Sequence, residues 1–184
     1  MKPETTVGYM AVLVGILLAT MTTASANHAA TGKGTYAVAP QVFFELHLVV
    51  ATGGLNVIQS EWSLNGASVS FQTTVIDSFT VSTEPAGRTV TITGTLVSTT
   101  ILGGGSERQA FAELVPFTAI GVDTTTPAAD ADHFSLIIEY QANQTQGPLF
   151  ASLGLGACQG PTCSITFEGP MQTGNIFVHT AGGE

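Results

Sequence analysis

Positive charge is almost missing from this chain. Lys2, Lys33, Arg88 and Arg108 are its basic residues, against 13 Asp and Glu, for a formal net charge of −9. Nucleic-acid binding needs a basic footprint to neutralise phosphates, and none is available. An anionic membrane surface is excluded on the same ground. Charge of either sign is scarce: 9% of residues, where soluble domains carry about 25%. Thr, Ser and Gly take its place on the surface. Cations, neutral sugars and other proteins stay open as partners. Catalytic signatures are missing too: there is no GxSxG, no HExxH and no cysteine–histidine nucleophile pattern. Helical periodicity is absent beyond the amino-terminal segment, which excludes bundles and α/β folds.

That amino-terminal segment has the make-up of a secretion signal. Lys2 gives a thin basic start, and an apolar run follows from Gly8 to Met21. The run is shorter than the about 20 residues a membrane span needs. Ala24-Ser25-Ala26 is a small-x-small cleavage signal. The expectation is a signal peptide over residues 1–26, cleavage before Asn27, and a single secreted domain over 27–184. A lipid-anchored lipoprotein needs a cysteine at the cleavage site, and none is there. An uncleaved anchor is the bland alternative. No second apolar stretch could cross a bilayer.

What remains reads as strands. After a small polar lead, NHAATGKG, a long strand is expected over about Thr35–Val50, broken near Pro40. Val42, Phe44, Leu46, Leu48 and Val50 share one face. Leu55–Trp62 is a weaker strand, and Asn65-Gly66 is a strong hairpin signal because both residues tolerate positive φ. From Val69 the odd positions are mostly apolar and the even ones mostly hydroxyl. Asp77 and Ile76 break the two faces, which predicts a bulge there. Glu84-Pro85-Ala86-Gly87 turns the chain into Val90, Ile92 and Leu96. Gly94 in mid-strand predicts a bulge or a close approach by another side chain. Gly103-Gly104-Gly105-Ser106 is a loop. Phe134, Leu136, Ile138 and Tyr140 alternate with His133, Ser135, Ile137 and Glu139, the mark of a half-buried strand. Short strands between Gly- and Pro-rich turns predict an all-β fold, an antiparallel sandwich or small barrel built from consecutive hairpins.

Cys158 and Cys163 bracket the turn Gln159-Gly160-Pro161-Thr162. In an exported chain this spacing predicts a disulfide clipping a hairpin tip, with a gain of only about 2 kcal/mol for so short a loop. It is not CxxC, and no second pair completes a zinc site.

Candidate chemistry is sparse. Asp123, Asp130 and Asp132 lie in one loop ahead of the Phe134 strand. They are the candidate metal ligands, for Ca²⁺, since hard oxygen donors suit that ion. The loop should sit in water, and the plain alternative is that these residues cap turns. His133 and His179 sit on strand edges and could share a metal or acid–base role. Glu45 and His47, at i and i+2, can touch a common ligand. A carboxylate pair for glycoside hydrolysis could be drawn from Glu45, Glu61 and Glu113. Asn143-Gln144-Thr145 is a glycosylation sequon.

Four stretches, SVSFQTTVIDSFTVS, RTVTITGTL, FTAIGVDTTTPAADADHFSLIIEY and TGNIFVHT, follow one another in an order that resembles a group of small secreted bacterial β-domains, the post-COAP-1-like domains. The likeness is one of element order, not identity. This chain departs from it by inserting the segment Gln141–Gly169 with its cysteine hairpin. The resemblance implies secretion and an all-β fold. The family carries no established activity, so no catalytic residue is implied.

Two functions follow from these readings. One is a non-catalytic secreted domain with a structural, adhesive or ligand-binding role, meeting a protein or glycan surface. The other is a small secreted hydrolase using scattered carboxylates. A cavity lined by Glu45, His47 and a third polar residue would favour the enzyme. A fold filled with apolar side chains and lacking a pocket would favour the first.

Overall fold

The protein, seen in a computed structural model, is described over residues 28–52, 56–64, 67–85, 87–103, 108–124 and 132–179. Its strands are β1 (His28–Ala39), β2 (Val42–Ala51), β3 (Val57–Leu64), β4 (Ala67–Glu84), β5 (Gly87–Leu102), β6 (Gln109–Thr124), β7 (His133–Gln141), β8 (Gly156–Gln159) and β9 (Thr162–Val178), with helix α1 (Gln146–Ser152) between β7 and β8. Each strand from β1 to β6 pairs antiparallel with the next, β7 pairs with β9, and β9 pairs back to β1. Of the two architectures left open by the sequence, the chain adopts the closed antiparallel barrel, with eight strands in the ring. Closure removes the sheet edges that an open sandwich would have to protect. β8 adds a short strand beside the first residues of β9, and Cys158 is bonded there to Cys163 as the spacing predicts. Among the described residues no helix is long and apolar enough to cross a membrane.

Alternation carried most of the predicted strands into place. Phe134, Leu136, Ile138 and Tyr140 are fully buried, as are Phe44, Leu46, Leu48 and Val50 from β2. The β4–β5 register shifts between Thr73 and Val75 and again between Ile76 and Ser78, the expected bulge. It turns Val75 outward, and a side chain at Gly94 would strike the Val75 carbonyl. Three expectations are corrected. The polar lead forms the first part of strand β1, where the inward positions Ala30 and Gly32 are small because Ile176 and Leu48 fill the space beneath Gly32. The break at Pro40 is a complete reversal between β1 and β2, with Gln41 at φ 65°. The inserted segment contains a helix, α1, too short at 7 residues to leave a period. Asn65, Gly66 and Ala86, and the loops 104–107 and 125–131, lie outside the described residues.

The interior is filled. Tyr36, Phe44, Phe71, Phe134, Phe150 and Phe167 form one aromatic cluster, with centroids 4.7 Å apart for Phe71–Phe167 and 5.1 Å for Tyr36–Phe134. Such tilted and edge-on pairs add about 0.5–1.5 kcal/mol each beyond their burial. The polar atoms inside are paired. Tyr36 Oη and Ser60 Oγ are 2.8 Å apart, and Tyr140 Oη and Ser98 Oγ 2.7 Å. Burial pushes both phenols well above their ordinary value, outweighing the serine bonds; Glu113 raises Tyr140 further.

These phenols make an alkaline prediction. A folded value above the unfolded one of about 10 means that the stabilisation is complete below that pH and is lost as pH rises beyond it. Tyr36 and Tyr140 are the tyrosines of residues 27–184. Phenolate absorbance of a protein comprising residues 27–184 should therefore rise in one cooperative step, together with loss of the β-sheet circular dichroism. Gradual titration near pH 10 with the sheet intact would contradict this burial.

Candidate functional site

With the barrel axis filled, concavities are left at its mouth and on its outer wall. The mouth lies where β1 ends, β2 begins and β3 ends. There α1 and the residues that follow it, Leu153 and Leu155, border the opening, leaving a cavity of about 240 Å³. Val42, Phe44, Trp62, Val69, Leu153 and Leu155 line it with other apolar side chains. Leu153 stands on the rim, 67% exposed, and Trp62 is half-buried beside it. The helix is set in place from two sides. Gln146, fully buried, reaches into the barrel and its Oε1 accepts from Ser98 Oγ (2.6 Å) and Thr100 Oγ1 (2.7 Å), while its Nε2 donates to the Ser98 carbonyl (2.9 Å). From β6, Glu113, which lies opposite Ser98, accepts from the Thr145 and Gln146 amides at 2.8 and 3.4 Å. A carboxylate suits the amides that open a helix.

The outer wall carries a second concavity of about 370 Å³, lined by Lys33, Thr35, Glu45, His47, Gln59, Glu61 and Thr173 with neighbouring backbone. Register explains the gathering. Glu61, Glu45, Thr35 and Thr173 lie opposite one another across β3, β2, β1 and β9, and Gln59, His47, Lys33 and Asn175 form the next row. The predicted Glu45–His47 pair thus gains a third and a fourth polar neighbour, the condition set for the enzyme reading. The place is the outer wall and not the mouth. Among the described residues no side-chain hydrogen bond or ion pair holds Glu45, Glu61 or His47. Glu113 is not part of this group, since it caps α1.

At the far end of the barrel Asp132 departs from expectation. Asp132 is 6% exposed and does not sit in water. Its Oδ1 accepts from the Thr124 amide (2.9 Å) and hydroxyl (3.1 Å), and its Oδ2 from the Ile176 amide (2.7 Å). Asp123 Oδ2 accepts from the Val178 amide at 2.9 Å, and Arg88 donates to the Val178 carbonyl. The reason is a gap in the sheet. β7 accompanies β9 only as far as Pro170, so the amides of Ile176 and Val178 on the side away from β1 have no strand to face. The two carboxylates stand in for that strand. Asp130 lies outside the described residues. Among the described residues no group of three His, Cys, Asp or Glu is placed to hold a metal. His133 pairs within the sheet between β6 and β9, and His179 follows β9 with its amide on the Ala29 carbonyl. Asn143 of the sequon is exposed.

The apolar mouth escaped sequence reasoning. Its lining comes from the ends of distant strands and from a helix with no readable period. Trp62 close to the Asn65-Gly66 turn was the one local hint. Comparison with family models, curated proteins and solved structures finds no match for this chain.

Proposed function

We propose that this is an exported, non-catalytic β-barrel that binds a small apolar molecule at its mouth. The observation that carries the reading is the lining of that cavity, almost wholly apolar, in a barrel whose interior is otherwise filled. Barrel mouths are common ligand sites, and the volume lies just below the usual range of about 300–1,000 Å³. That size admits one or two rings or a short chain. Export follows from the amino-terminal segment, with cleavage before Asn27, and the disulfide suits an oxidising compartment. The order of pieces shared with post-COAP-1-like domains supports the same placement.

Trp62 is the chain's one tryptophan and lines the cavity, so it reports on it directly. Titration with the uncharged fluorophore N-phenyl-1-naphthylamine should give a saturable, one-to-one change in both probe and Trp62 emission. The double variant Leu153→Lys/Leu155→Lys, altered at the rim, should bind at least about tenfold more weakly, a loss of about 1.4 kcal/mol. Emission that rises linearly without saturation would end the proposal.

A second reading rests on the outer wall. Glu45 and Glu61 face each other across β2 and β3, as a retaining glycosidase would need with carboxyl groups about 5–5.5 Å apart. No hydrogen bond divides the acid role from the nucleophile role, so the binding reading is preferred. Hydrolysis of aryl glycosides abolished by Glu45→Gln would reverse that preference. Calcium at the acidic end would have to share Asp123 and Asp132 with the β9 amides, giving weak affinity of about 10⁻⁴–10⁻³ M. A melting temperature raised by Ca²⁺ and not by Mg²⁺ is its test. The outer wall also offers a place for a glycan or protein surface.

A further inference from the structure

We propose that the polar field on the outer wall binds neutral oligosaccharide. The proposal rests on the non-catalytic reading of that wall and is independent of the apolar mouth. The first ground is shape. The 370 Å³ concavity adjoins another of about 300 Å³, and the two share Lys33 and His47. Together they make one trough from Glu61 on β3 to Phe177 on β9, longer than a single sugar ring.

The second ground is chemistry. Sugar hydroxyls both donate and accept, at close spacing. Along the trough, acceptors (Glu45, Glu61), a donor (Lys33) and groups that do both (Gln59, His47, Asn175) stand in two registered rows, the acceptors beside the groups that can donate. Thr173 Oγ1 meets the Thr35 hydroxyl at 2.9 Å and accepts from the Thr35 amide at 3.2 Å, while Glu45, Glu61, Lys33, Gln59, His47 and Asn175 have no side-chain hydrogen bond among the described residues. Phe177, 52% exposed, closes the second concavity and offers a ring to the C–H face of a sugar.

The third ground is cost. Like charges directly opposite on neighbouring strands destabilise a sheet. Glu45 and Glu61 stand so, on a chain that already carries −9 and needs no further charge for solubility. Local choices that oppose the fold gather at functional sites. The same charge excludes sulfated or uronic glycans and phosphates, leaving neutral sugars.

The test is a titration of ¹⁵N-labelled protein with cellohexaose, xylohexaose and chitohexaose, and separately with a heparin hexasaccharide. At least one neutral probe should shift the amides of Lys33, Glu45, His47 and Gln59 saturably, and heparin should not. His47→Ala and Gln59→Ala change exposed side chains and should keep the native spectrum while weakening that probe about 5–10-fold, or about 1–1.4 kcal/mol. Absence of saturable shifts with all three neutral probes overturns the proposal, as does a binding map confined to Trp62 and α1. Because the mouth is read by Trp62, the two sites fail separately.

Discussion

Replacing Asp132 with alanine should destabilise the barrel by about 4 kcal/mol, since charge-assisted hydrogen bonds contribute about 1.5–3 kcal/mol each and a stranded buried amide costs about 1–3. Three donors converge on this side chain, and one of them, the Ile176 amide, is buried with no strand to turn to. Asp123→Ala removes a single bond, to Val178, in a less buried setting, and should cost about 1–2 kcal/mol. Urea unfolding should show the Asp132→Ala midpoint falling with an unchanged slope, which separates lost stability from a changed unfolded state. Asp132→Asn keeps one acceptor and should fall between wild type and alanine. Equal losses for the two alanine variants would mean that the carboxylates do not replace a strand at this end.

This contact joins two stretches noticed separately in the sequence, the ADADHF entry to β7 and GNIFVH in β9. Their partnership was not legible because the residues are 44 apart and Asp132 sits among polar neighbours that read as a wet loop. What was legible obeys the period of two. β2, β5 and β7 each set large apolar residues on one face, because an eight-stranded interior has room for them. The first part of β1, before Thr35, was missed for the converse reason: its inward Ala30 and Gly32 are small, and their space is taken by residues from β2 and β9. Closure between β1 and β9 has no local signal at all, since the strands meet across most of the chain. The outer polar field lies beyond alternation too. Glu45 and His47 were visible as a pair, but Gln59, Lys33 and Thr173 join them only through the register of four strands. Glu113, offered as a third carboxylate, lies on β6, where it can meet α1 but not β2.

The second large effect is expected at Gln146. Gln146→Leu keeps the volume of the side chain and leaves Ser98 Oγ, Thr100 Oγ1 and the Ser98 carbonyl short of a partner inside the barrel. The loss should be about 3 kcal/mol, because stranded buried polar groups cost more than their bonds contribute. The way to separate stranding from packing is to remove the orphans. Adding Ser98→Ala, Thr100→Val and Tyr140→Phe to Gln146→Leu takes away Thr100 Oγ1, which had lost its partner, together with the Ser98–Tyr140 pair, which had lost its acceptor at Gln146, and should recover at least about half of the loss, since replacing both partners by apolar groups is nearly neutral. A cycle of these variants should therefore be strongly non-additive. Additive losses would mean that water enters and satisfies each hydroxyl singly. The consequence reaches the mouth, because Gln146 and Glu113 between them set α1, and α1 carries Phe150 and leads into Leu153. Gln146→Leu should weaken N-phenyl-1-naphthylamine binding although Gln146 does not itself line the cavity, while the apolar quadruple variant, whose helix is seated on a dry floor, should regain it.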